Sequence, residues 1–164
     1  MDGGYQGPVD VQYYEAGTAG QRYTLKQDSS VIFGTFRREG KNQYKLQRAG
    51  NTITANQVLK IDTSDTTLGR SVIPTAAATD IPVGVAPIAV TSGNSFFMQV
   101  SGIVQATIKT GVAAGDPISA SGTAGAGQKA PFTAATVQGV VGVALEANSS
   151  GSDALKTLRL HGLM

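Results

Sequence analysis

The chain contains one imidazole, His161, and no cysteine. A histidine can serve as general base for a serine or threonine nucleophile, but only with the nucleophile and an orienting group within reach. His161 stands at the end of a terminal alternating run, on its outward face, which predicts an exposed or interfacial residue. Neither GxSxG nor a phosphate loop ending in Gly-Lys-Ser/Thr occurs. Lack of cysteine excludes disulfides, thiolate zinc sites, iron–sulfur clusters and a thiol nucleophile. Asp62 and Asp65, three apart in DTSD, could offer oxygen ligands to a hard cation. The further ligands that an EF-hand needs are missing, so ordinary turn chemistry is expected there. The close glycines in residues 122–127 are followed by no helix whose N-terminus could bind an anion. They predict part of a mobile surface loop, residues 122–131. No catalytic, cofactor-binding or metal-binding residue is assigned, and the chain is expected not to be an enzyme.

One local run of charge remains: Arg37, Arg38, Lys41, Lys45 and Arg48, offset by Glu39, with Tyr44 inside it and Phe36 beside it. Three roles fit basic side chains interleaved with aromatics. They could pair with phosphates and stack on bases, meet an acidic patch on a protein partner, or solvate a hairpin. The whole chain has 13 Lys and Arg against 11 Asp and Glu, a net charge of +2. So small an excess gives no pull toward nucleic acid or a membrane surface. The six residues Arg37, Arg38, Lys41, Tyr44, Lys45 and Arg48 are therefore carried forward as a suspected partner contact.

Positioning these residues falls to short strands. Residues 96–110, FFMQVSGIVQATIKT, alternate with period two: Phe96, Met98, Val100, Val104, Ala106 and Ile108 share one face. That pattern predicts a half-buried strand, and Gly102 in its middle predicts a bend, a bulge or a change of sheet. Gly115, Asp116 and Pro117 read as a structural turn: positive φ, a side chain that bonds nearby amides, and a fixed φ. Residues 118–121 and 137–145 follow as strands, the latter central because both its faces are nearly apolar. Residues 148–153 are a turn. In the closing strand, 154–160, Leu158 and Leu160 point to one side and Thr157, Arg159 and His161 to the other, with Lys156 on the leucine side. Residues 70–74 and 83–90 are further strands, the second split or at an edge because of Pro87. In the first half, 11–14, 22–26, 30–36 and 43–46 are short strands with turns at 17–20 and 39–42, and a short helix is weighed for 56–61. The sum is an all-β fold, a small barrel or sandwich.

The 164 residues suit one domain, or a domain with an arm. Residues 1–70 carry nine Lys and Arg against seven Asp and Glu, whereas 71–164 carry four of each. That shift near Arg70 suggests a polar, partly extended N-terminal arm or small subdomain over 1–70, ahead of a compact β domain over 71–164. No stretch reaches the roughly 18 apolar residues that span a bilayer, and residues 1–10 lack the basic start and apolar core of a signal peptide. No membrane association is expected.

With these elements in place, residues 100–121, VSGIVQATIKTGVAAGDPISAS, resemble the middle of the small capsid decoration (cement) proteins of tailed phages. In those a strand is followed by a hairpin with an A-G-D-P turn. Residues 139–160, GVVGVALEANSSGSDALKTLRL, resemble their closing pattern, so the likeness runs over 70–164. Gly115, Asp116, Pro117, Gly142 and Glu146 are the motif positions reached, with structural roles. The resemblance implies a structural virion protein on the outer face of the head that binds the major capsid protein and stabilises its lattice. It also implies a homo-oligomer, a trimer before a dimer, with no cofactor. Two other readings stay open: a tail, fibre-base or baseplate component, and a carbohydrate-binding β module whose platform would use Tyr5, Tyr13, Tyr14, Tyr23 and Tyr44.

Overall fold

The computed structural model describes residues 24–25, 35–65, 71–131 and 139–161. The expected strands at 11–14 and 30–34, the turn at 17–20, and residues 137–138 lie outside them. Among the described residues eleven strands run in chain order: β1 (Thr24–Leu25), β2 (Phe36–Glu39), β3 (Asn42–Ala49), β4 (Val58–Ile61), β5 (Ser71–Pro74) and β6 (Pro82–Val85), then β7 (Ser95–Ile108), β8 (Pro117–Ala120), β9 (Gly127–Lys129), β10 (Gly142–Ala144) and β11 (Ala154–His161). No helix occurs among the described residues, and the fold is all-β.

β7 organises the rest. Its second half pairs antiparallel with β11 from Ser101↔His161 to Ile108↔Ala154. β11 continues to β10, β10 to β8, β8 to β9, and β9 returns to β7 in parallel at Ile108↔Gly127. The cycle β7–β11–β10–β8–β9 closes a five-stranded barrel. So narrow a barrel is filled by its own side chains: Val104, Ala106, Ile108, Ile118, Ala144, Leu158 and Leu160 occupy the interior. The first half of β7 pairs with β3, and pairing runs on through β5, β4 and β6 back to β7 at Val85↔Gln99. This second cycle encloses Ala49, Leu59, Val72, Phe96, Met98 and Val100. At about 1.5–3 kcal/mol for each large side chain taken from water, the two interiors supply the main driving force.

The strand that serves both cycles bends at Gly102, whose φ is +96°. This is the change of sheet that the mid-strand glycine suggested. The burial pattern divides there as well: residues 95–100 are buried on both faces, and only from Ser101 onward does inward alternate with outward.

Three expectations need correction. Residues 56–61 form no helix: Asn56 has φ +67°, outside the helical range, and residues 58–61 are the strand β4, paired on both sides. Residues 122–131 are not simply a surface loop. Only Gly122, Thr123 and Ala124 form an exposed tip, while Ala126 and Gly127 are buried and β9 completes the barrel. Small residues are required because a Cβ on Gly127 would lie 2.6 Å from Ile118 Cγ2 and 2.9 Å from Ile108 Cδ1. Of the apolar run at 137–145, the described residues 139–145 form a three-residue strand, β10, which is central but turns Gly142 and Ala144 inward and leaves Leu145 exposed. Two other readings hold: the strand expected over 83–90 breaks after Val85, ahead of Pro87, and β11 turns Leu158 and Leu160 in and Arg159 and His161 out. Strands on both sides of Arg70 pair with one another, β3 and β4 each with β5.

Candidate interaction surface

The basic run lies on the β2–β3 hairpin, in register Phe36↔Lys45, Arg37↔Tyr44, Arg38↔Gln43 and Glu39↔Asn42. A two-residue turn joins the strands, with Gly40 at φ +58°, as glycine-first hairpin turns require. Opposed residues share a face, so the six suspected contact residues separate. Phe36 and Arg38 are exposed on one side with Lys45, whose Nζ lies 5.8 Å from the centre of the Phe36 ring, a cation–π contact. Lys41 is exposed at the tip. Arg37 and Tyr44 face the other way. Arg37 pairs with Glu39, and Tyr44 is only 6% exposed. Arg48, at the far end of β3, lines a cavity of about 220 Å³ together with Asp62, Ser64, Asp65, Ser71 and Ser92. The structure thus brings Phe36, Arg38 and Lys45 together and removes Arg37, Tyr44 and Arg48 from that group.

Burial of Tyr44 takes it out of any sugar platform, and the other four tyrosines lie outside the described residues. The two aspartates of DTSD make turn contacts: Asp62 Oδ1 accepts from Ser64 N and Oγ at 3.0 and 2.6 Å, and Asp65 Oδ2 accepts from Ser71 N at 3.0 Å. No group of three or more metal-ligating side chains occurs among the described residues. His161 is exposed at the end of β11, opposite Ser101.

The turn at Gly115, Asp116 and Pro117 closes the end of the barrel. Gly115 has φ +90°, and its N–H donates to Ala144 O at 2.8 Å. Asp116 Oδ2 accepts from Ala113 N at 2.8 Å, and its Oδ1 meets Lys129 Nζ at 2.9 Å. The amide of Ala113, with the Lys129 ammonium behind it, holds the Asp116 carboxyl below its ordinary pKa.

A second surface escaped the sequence reading. The outward faces of β7, β11 and β10 form one patch, in which Ile103 (43% exposed) opposes Arg159 and Arg159 opposes Val143. Leu155 (50% exposed) opposes Thr107, and the N–H of Leu145 donates to Thr157 O, which places Leu145 beside them. The signal was available: Ile103 interrupts the polar face of its strand, and Leu155 has the same parity as Thr157, Arg159 and His161. Patch and hairpin meet at the bend in β7, where Asn42 Oδ1 accepts from Ile103 N at 3.1 Å.

No family model matches the chain, and no curated protein matches it. Among solved structures the fold is similar to that of the head fiber gp8.5 N base in bacteriophage phi29, with a TM-score of 0.51 and 21% sequence identity. The likeness covers 73% of this chain and 95% of that one. At this identity it is a likeness of fold.

Proposed function

We propose that the chain is a structural component of a phage virion, seated on the outer surface of the head, where it acts through contact area and without catalysis. The observation that carries this reading is the fold shared with the base of a head fiber over 95% of that chain's length. The resemblance of residues 70–164 to capsid decoration proteins points the same way. The exposed side chains Ile103, Leu155 and Leu145 supply apolar area for a protein partner, and Arg38 and Lys41 supply charge beside it. Each apolar contact is modest, at about 25 cal/mol per Å², but repetition over a lattice multiplies it. The major capsid protein is the partner of this reading, and stabilisation of its lattice the consequence.

The neighbour's own description favours a second reading, the base of a fibre standing on the head. Both are tested by adding the purified chain to heads that lack it, measuring co-sedimentation and locating it by electron microscopy. Leu155→Asp with Ile103→Asp is expected to abolish attachment at any salt. Arg38→Glu with Lys41→Glu weakens it more at low than at high ionic strength. Raised thermal resistance of decorated heads supports cementing. Unchanged resistance with density projecting outward supports the fibre base. Density on the tail, or none on the particle, removes the head reading.

A further inference from the structure

Two of the described strands stand outside the closed cycles: β1, only two residues long, pairs with β7 alone, and β2, which presents the longer edge, pairs with β3 alone. Antiparallel pairs alternate between hydrogen-bonded and open. Leu46 N donates to Thr35 O at 2.9 Å, so the bonded positions of β2 are Thr35, Arg37 and Glu39. The N–H and C=O of Phe36 and Arg38 therefore point away from the sheet, along its free edge. Both side chains are exposed, Phe36 at 59%. An edge of this kind is a template for another strand. Its charge, from Arg38 with Lys41 and Lys45 nearby, opposes pairing with the same edge of another copy and selects an acidic strand.

Among the stretches outside the described residues, one has both the charge and the strand character. Residues 26–34 carry Lys26 and Asp28 and cancel, 66–70 are basic through Arg70, and 132–138 and 162–164 are uncharged. Residues 1–23 hold Asp2, Asp10 and Glu15 against Arg22 alone, a net charge of −2. Within them 9–15, VDVQYYE, is dense in the β-branched and aromatic residues that strands favour. Tyr13 and Glu15 fall on one face, two residues apart, which is the spacing of Phe36 and Arg38. We infer that residues 9–15 of a second copy of this chain add to the free edge of β2, with Tyr13 against Phe36 and Glu15 against Arg38. The result is an arm-exchanged homo-oligomer. This inference does not rest on the virion reading, because its test uses the purified protein alone.

The test is light scattering behind size exclusion on the full-length chain at low salt. The wild type is expected to associate with increasing concentration. Glu15→Lys and Arg38→Glu are each expected to weaken association about tenfold, and less at high salt. An equimolar mixture of the two variants is expected to restore it, since each then offers the charge that the other needs. Phe36→Pro, which removes an outward N–H and no internal hydrogen bond, is expected to abolish association with the melting temperature kept. A wild type that stays monomeric at its highest soluble concentration overturns the proposal, and so do three variants that associate normally. If the variants weaken association and the mixture restores nothing, the arm does not cross to a second copy, and the proposal is overturned on that point.

Discussion

Replacing Gly102 with alanine is expected to damage the protein far more than the same change at a glycine of similar backbone. At φ +96° the new Cβ would run into Asn42 Oδ1 and would lie 2.9 Å from both Asn42 Cα and Lys41 O. Two of those three obstacles are backbone, so no rotamer change relieves them. Holding a non-glycine residue in this region costs about 1–3 kcal/mol, and forcing the hairpin off β7 about 1–3 more. Losing the bond from Ile103 N to Asn42 adds about 1 kcal/mol. A total near 5 kcal/mol, at about 2–4 °C per kcal/mol for a chain of this size, lowers the melting temperature by about 10–20 °C.

Gly111 is the control. Its φ is +83° and nothing lies within 4 Å of a Cβ there, so Gly111→Ala carries backbone strain alone and should cost only a few degrees. Asn42→Ala removes the hydrogen bond and costs about 1 kcal/mol. Added to Gly102→Ala it recovers little, since the Asn42 and Lys41 backbones remain in the way. Thermal and urea unfolding followed by far-UV circular dichroism give these differences, and amide exchange at Ile103 reports whether the hairpin has left β7. Equal losses for Gly102→Ala and Gly111→Ala would refute the claim that the bend is locked by close approach of two backbones.

Two other changes test burial and charge. Ser95 is fully buried with a hydroxyl that finds no partner among the described residues, so Ser95→Ala should raise stability by about 1 kcal/mol, seen as a higher urea midpoint with an unchanged slope; a lower midpoint would show that the hydroxyl is satisfied. For Asp80, burial pushes the carboxyl pKa up, but the amides of Ala76 and Ala77 and the Lys60 ammonium at 2.8 Å outweigh it and hold the pKa below its ordinary value. A depressed carboxyl contributes stability that is present above its unfolded pKa and lost as pH falls through the folded one. Asp80→Asn should therefore cost about 1–2 kcal/mol at neutral pH and little in strong acid, and an equal loss at both would contradict the sign.

Much of the barrel could be read from residue order because its long strands obey simple rules. β7 showed itself by fourteen residues of strand-forming character and β11 by Leu158 and Leu160 alternating with Thr157, Arg159 and His161, although Leu155 and Lys156 break that pattern at its start. Gly102 and Pro87 marked breaks because each fixes a local backbone option whatever surrounds it. Closure was not legible. It depends on β9, three residues in a stretch of glycine, alanine and polar side chains, held by pairing to β8 and β7 rather than by any preference of its own. The weighed helix at 56–61 failed for a related reason. Four residues, VLKI, are too few for periodicity to separate helix from strand, and two neighbouring strands decided the matter. The arrangement of the basic run was not legible either, since chain proximity says nothing about face. The register sent Arg38 and Lys45 to one side and Arg37 and Tyr44 to the other, and the length of β3 carried Arg48 to the far end.

The same geometry accounts for the change of composition near Arg70 without a break in pairing there. Polar character before that point belongs in good part to the β2–β3 hairpin, whose β2 strand stands outside both closed cycles and needs only one covered face. Apolar and small residues after it line two narrow interiors, where bulk is limited and backbones approach closely. Because β7 belongs to both cycles, neither can open without disturbing the other. The hairpin tip, anchored to the bend in that strand, is thereby held in fixed relation to Ile103 and the apolar patch. Charge and apolar area are thus presented at a set spacing, the arrangement that the proposed attachment to a head would use.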